Sequence, residues 1–250
     1  MQFMKNIVCL FFLLLACFCG TAQQNIQTDR PDQTENTALV PKGRFQFESG
    51  VKHEQASADE LEVELPEFLA RYGLSKRVEL RLQGQFMYEK ADRETFGLHE
   101  LHAGAKIKIL SEKNGFPAVS LMGQLQIPGI EAGSFQTHHA APEVRVLLRN
   151  TLSKKVDLGY NAGVRWDANT MQASYSYTFS PNIKLSDQLH AFVESFGDFP
   201  VSRHGHQWAD GGMALRLGSD LQLDFSLGME LTKTEGYHHF FESVGVSFRI

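Results

Sequence analysis

A chain of 250 residues with 42% hydrophobic and 21% charged side chains has the make-up of a folded protein and excludes an intrinsically disordered one. Its formal net charge of -5 offers no basic surplus to neutralise phosphates, so no nucleic-acid partner is expected. No apolar run reaches the roughly 18 residues that a spanning helix needs, which leaves the closed β-barrel as the route across a bilayer.

In chain order, Lys5 precedes an apolar stretch from Ile7 to Cys19, and Gly20-Thr21-Ala22 places small residues before Gln23. That is the pattern of a cleaved secretory signal peptide over residues 1–22. The competing reading takes Leu14-Leu15-Ala16-Cys17 as a lipobox with Cys17 lipidated, against which Phe18 and Cys19 continue the apolar stretch. Cleavage removes all three cysteines and leaves 23 basic and 29 acidic residues. An exported chain without disulfides must draw its stability from a large core or from a membrane.

Residues 23–42 form no long strand of their own and carry Asp29, Arg30, Asp32 and Glu35. They read either as a periplasmic leader or as a plug whose charges meet charged wall residues such as Arg44, Arg81 or Arg249.

From Gly43 onward the hydrophobic period is two. Val78, Leu80, Leu82, Phe86 and Tyr88 alternate with Glu79, Arg81, Gln83, Gln85 and Glu89, and Leu221, Leu223, Phe225, Leu227 and Met229 alternate with Gln222, Asp224, Ser226 and Glu230. These runs exceed the ~5–6 residues of an ordinary strand and match the ~9–11 that a tilted strand needs to cross a bilayer. The pattern predicts an all-β protein, a closed antiparallel transmembrane β-barrel over residues 43–250 of about twelve strands: 43–54, 61–73, 77–89, 98–110, 116–128, 140–150, 156–167, 170–180, 188–197, 207–217, 221–232 and 239–250. Short connections such as Leu74-Ser75-Lys76 and Gly218-Ser219-Asp220 read as periplasmic turns, and Pro181–Asp187 as another. The tight turn at Ala168-Asn169 breaks this alternation, and a change of phase near Pro66 predicts a bulge or an early strand end. Strand-end rings, Trp166, Tyr175 and Phe248 among them, suit the headgroup level.

If the oily faces meet lipid, Arg44, Glu48, Glu79, Arg81, Lys106, Arg145, Arg165, Glu194, Asp210, Asp224 and Arg249 line the lumen. Their mixed signs favour pairing across neighbouring strands over an ion filter. Twelve strands should leave a narrow lumen that a short segment could block. The last strand alternates Phe240, Val244, Val246, Phe248 and Ile250 to the final residue, as in the C-terminal strand that the outer-membrane insertion machinery recognises, with Ile250 where an aromatic is usual.

The stretch Thr28-Asp29-Arg30-Pro31-Asp32, Thr34-Glu35, Val40-Pro41-Lys42-Gly43 and Phe45-Gln46-Phe47-Glu48-Ser49-Gly50 resembles the opening of the "MetA pathway of phenol degradation" family. Leu69-Ala70-Arg71-Tyr72-Gly73-Leu74, Phe192-Val193-Glu194-Ser195-Phe196-Gly197 and Asp210-Gly211-Gly212 extend the likeness over nearly the whole mature chain. The resemblance implies an outer-membrane channel or transporter for small solutes, often aromatic, with membrane lipid around it. It does not imply that the chain degrades phenol.

The clusters His138-His139, His204-Gly205-His206 and His238-His239 fall in or beside loops, where adjacent histidines seldom converge on an ion, so no metal or other cofactor is expected. There is no GxSxG, P-loop or HExxH, so no enzyme is expected. The functional expectation is an outer-membrane channel for small, aromatic or hydrophobic, solutes. The alternatives are a barrel-embedded lipid-modifying enzyme and a soluble periplasmic β protein that binds a ligand.

Overall fold

The computed structural model describes residues 24–55, 61–90, 94–131, 135–202, 204–232 and 239–250. The signal peptide and the possible lipidation of Cys17 lie outside the described residues.

Twelve antiparallel strands close on themselves: β1 (Phe45–Gln55), β2 (Leu61–Gly73), β3 (Val78–Lys90), β4 (Glu94–Leu110), β5 (Ala118–Gln126), β6 (Ala141–Thr151), β7 (Val156–Trp166), β8 (Ala173–Lys184), β9 (Leu189–Pro200), β10 (His206–Arg216), β11 (Leu221–Glu230) and β12 (Phe240–Arg249). Each strand pairs with its chain neighbours, and β12 returns to β1 in register from Gln46–Arg249 to Gln55–Phe240. Closure leaves no strand edge with unpaired backbone groups, as a lipid environment demands.

The polarity is the reverse of a soluble protein. On β11, Gln222, Asp224, Ser226 and Glu230 are buried inside the barrel, while Leu223, Phe225, Leu227 and Met229 stand exposed on its outside. Period-two alternation on every wall strand would put a soluble barrel's oil inside, so this arrangement fits a barrel whose outer solvent is lipid.

Three local departures refine the expected strands. The ladder between β2 and β3 shifts between Glu64 and Glu67, so the irregularity near Pro66 is a bulge and the strand continues to Gly73. β8 begins at Ala173 instead of 170 because Asp167 Oδ1 accepts bonds from the Asn169 and Thr170 amides and the Thr170 hydroxyl, and Met171 takes a left-handed conformation. Residues 170–172 are thereby spent on the turn. At its other end β8 runs through Pro181 to Lys184, where a turn was expected. Pro181 lies in a gap in the β8–β9 ladder between Phe179–Ser195 and Asn182–Phe192, where it has no N–H to give β9, so the ladder opens locally while the strand runs on.

Candidate functional site

The interior is crossed by the chain's own N-terminal segment. The Arg249 guanidinium donates to the Gln24 carbonyl and the Ile26 amide donates to the Ser219 carbonyl at 2.7 Å, which pins the start of the segment beside the β10–β11 turn. At its far end the Val40 amide donates to Glu79 at 2.7 Å, and Gly43, at φ +78°, turns the chain into β1. A positive φ there favours glycine.

Between those ends the segment is held by charge. Arg71 of β2 donates through Nε to Glu79 at 2.8 Å and through a terminal nitrogen to Glu48 at 2.7 Å, and that terminal nitrogen also lies 3.2 Å from Asp29. Asp29 further accepts from Arg81 at 2.6 Å and from Lys106 Nζ at 2.8 Å. Burial would push the Asp29 carboxyl up, but Arg71, Lys106 and Arg81 outweigh it and hold the group well below the usual carboxylate range. Glu35, paired with Arg81 at 2.8 Å, goes the other way: burial, with Asp29 nearby, raises it.

Arg30 reaches the opposite quarter, donating to Glu67 at 3.1 Å, Asp224 at 3.1 Å and the Ser243 hydroxyl at 2.8 Å. Its guanidinium lies over Gly50 of β1 and Gly245 of β12, where a Cβ would stand 2.3 Å and 2.4 Å from it. The segment then turns past β7, β8 and β9: the Glu35 amide donates to Asn161, the Thr34 hydroxyl donates to Glu194 and accepts from the Thr178 hydroxyl, and the Gln33 amide donates to Glu194 at 2.7 Å. Asp32 accepts from the Ser180 hydroxyl at 2.9 Å. Burial, reinforced by Glu194, pushes the Asp32 carboxyl well above its usual range.

Two cavities meet at this crossing. One of about 540 Å³ opens toward the β7–β8 turn and is walled by Gln83, Gln85, Gln124, Gln126, Arg145, Arg165 and Trp166 among others. The second, about 280 Å³, faces the β10–β11 side and is walled by Arg149, Asp157, His190, Arg216 and Gln222 among others. Arg30, Pro31, Asp32 and Glu35 line both. On the inner wall of β9, β10 and β12 stands a strip of rings. Phe196 stacks on Trp208 with centroids 6.1 Å apart, Trp208 meets Phe241 at 5.9 Å, and the Phe241 and Phe192 rings fill the hollows at Gly228 and Gly212.

The structure places Glu48, Glu79, Arg81, Lys106, Glu194, Asp210, Asp224 and Arg249 as buried side chains, and Arg145 and Arg165 on the larger cavity. Arg145 pairs with Glu143 on its own strand. Arg44 and Arg249 do not meet the acidic residues of the segment; both turn to Asp220, at 3.7 Å and 2.8 Å. Trp166 lines the larger cavity, whereas Tyr175 and Phe248 point outward. The sequence reading passed over Arg71, the residue around which the first cluster is built. The β2 bulge resets the strand's phase, and the signal for it was the Leu69-Ala70-Arg71-Tyr72 alternation after Pro66. Among the described residues no group of three or more His, Asp or Glu is arranged to hold a metal ion.

A closed twelve-stranded antiparallel barrel with an apolar exterior and a charged interior is the fold of outer-membrane β-barrel proteins. The chain is similar to the COG4313 outer membrane channel from Pseudomonas putida F1, with a TM-score of 0.68 at 13% identity over 90% of this chain and 100% of that one. It is similar to the NanC porin, with a TM-score of 0.60 at 8% identity over 81% and 98% of the two chains. The KdgM porin in complex with disordered oligogalacturonate gives 0.53 at 13% identity over 80% and 98%. The sequence matches no curated protein. The chain belongs to the family described as "Putative MetA-pathway of phenol degradation", whose model matches residues 28–250.

Proposed function

We propose that this protein is an outer-membrane channel for a small solute, exported by a cleaved signal peptide over residues 1–22 and inserted by the barrel insertion machinery, and that residues 23–42 act as a plug. The observation that carries the reading is the meeting of the two cavities at Arg30, Pro31, Asp32 and Glu35: a solute passing along the lumen has to displace or skirt these residues. The wall residues Arg44, Glu48, Glu79, Arg81, Lys106, Arg145, Arg165, Glu194, Asp210, Asp224 and Arg249 serve on this reading as the hydrated lining, most of them paired for structure. Phe192, a ring among the polar groups that wall the smaller cavity, supports a small aromatic or hydrophobic solute, above all one that carries a hydroxyl or similar group. The protein acts on this reading as a channel and not as an enzyme.

The test is a deletion. Removing residues 25–40 should raise single-channel conductance in planar bilayers while the barrel still assembles. Unchanged conductance in a correctly inserted deletion variant would make the segment a structural brace and nothing more.

A further inference from the structure

Three carboxyl groups, Asp32, Glu194 and Asp210, gather where the segment crosses the lumen, and among the described residues none of them is paired with a base. Glu194 of β9 and Asp210 of β10 are directly opposite each other in register, and both side chains are buried on the inner face. Asp32 stands next to the pair in the segment, since the amide of the following residue, Gln33, donates to Glu194 at 2.7 Å. The donors are unevenly shared. Glu194 accepts from the Gln33 amide and the Thr34 hydroxyl, as an ionised carboxylate would. Asp210, only 8% exposed, has a donor to neither oxygen among the described residues.

Asp210 as a second buried carboxylate against Glu194 would be a like-charge contact with no compensation. Placing a proton on Asp210 removes the conflict, because the carboxylic acid then donates to Glu194 and the pair carries a single negative charge. We propose that Asp210 and Glu194 share one proton and, with Asp32, form a pH-released latch that keeps the N-terminal segment seated across the lumen at acidic pH and loosens it as the pH rises. This rests on the reading of the segment as a plug.

The surroundings leave few other ways to balance the charge. From β8, Ser180 and Thr178 offer only hydroxyls, and from β11 the residue opposite Asp210 is Gly228. Within the segment Asp29 adds to the negative field at Asp32, and Arg30 is turned to Glu67 and Asp224. When the shared proton leaves by the cavities that Asp32 lines, Asp210 and Glu194 stay fixed on adjacent strands. The movable charge is Asp32, and with it goes the segment. The upward displacement of the Asp32 carboxyl agrees in sign. Its contribution to seating is complete below the ordinary carboxylate range near ~3.9 and is lost as the pH climbs through the raised value.

The experiment is single-channel conductance of the full-length protein in planar bilayers from about pH 5 to about pH 10, with the 25–40 deletion as reference. The wild-type protein should conduct more as the pH rises, on the order of twofold or greater. Asp210→Asn, whose amide still donates to Glu194 and cannot ionise, should stay at the low level throughout, and Asp32→Asn, a change in the segment that leaves the wall intact, should flatten the rise. A wild-type profile that does not change with pH, or one that Asp210→Asn or Asp32→Asn retains in full, overturns the latch while a highly conducting deletion leaves the plug standing. A deletion that conducts no better than wild type overturns the plug itself. A conductance that responds to EDTA or to added Mg²⁺ at constant pH would assign the carboxyl groups to a metal cation and overturn the proton.

Discussion

Leu223 and Gln222 are neighbours in sequence with opposite surroundings: Leu223 is 42% exposed on the outer face and Gln222 is 5% exposed, with its amide donating to Thr28. A cation at the first has only acyl chains for solvent, whereas at the second it faces a charged interior. Leu223→Arg should therefore weaken insertion by about 2–4 kcal/mol if the site lies near the bilayer midplane. Gln222→Arg should insert normally while losing its bond to the segment. Equal losses for both variants in a urea refolding titration into lipid vesicles would contradict the assigned faces. Arg71 illustrates the other extreme of environment, since its fully buried guanidinium meets Asp29, Glu48 and Glu79. Such a cluster is costly to break, on the order of 3–5 kcal/mol when one partner goes, because the remaining charges stay buried. Arg71 escaped the sequence reading because a strand's faces can be read only by counting, and a bulge resets the count.

At the scale of elements, the N-terminal segment has almost no regular structure and is ordered by its contacts with the wall. Backbone amides of Asp29, Arg30, Gln33, Glu35 and Val40 all end on wall side chains. The wall answers with glycines at the places where the segment presses closest. Gly245 has Arg30 Nε 2.4 Å from where a Cβ would stand, with Asp224 Oδ1 at 2.6 Å. Gly245→Ala should push the guanidinium away from Asp224 and Ser243 without opening the β11–β12 ladder, since the obstructing atoms belong to side chains. The expected result is a barrel that assembles normally, with residues 24–42 cut faster by an added protease than in wild type. Identical cleavage rates would mean that Arg30 finds another seat at no loss. The sequence showed the strands clearly because each is a long period-two run. It showed the segment only as a polar stretch, because contacts with wall strands 18 to more than 200 residues away leave no local pattern.

For the whole molecule, closure is the decisive event. β12 pairs with both β1 and β11, and Phe45 and Ile250 exchange backbone hydrogen bonds at 3.0 Å and 2.8 Å. Without β12 two strand edges would face lipid, each unpaired backbone group there costing several kcal/mol. A chain shortened by residues 240–250 should fail to yield the compact, heat-modifiable band of a folded barrel on cold gel electrophoresis. Recovery of that band from the shortened chain would show that the remaining strands close by themselves.

The sequence by itself determined the architecture: strand length, period and even number, together with the absence of a long apolar helix, admit little besides a closed barrel in a membrane. Those signals are local or additive along the chain, so they survive without coordinates. Only the tertiary structure decided that Arg71 is the centre of the first ion-pair cluster, that Arg44 and Arg249 turn to Asp220, and that Asp210 and Glu194 stand opposite each other on adjacent strands. Each of these depends on which luminal side chains closure sets at one height, and hydrogen-bond register around a ring cannot be read from the order of residues along one strand.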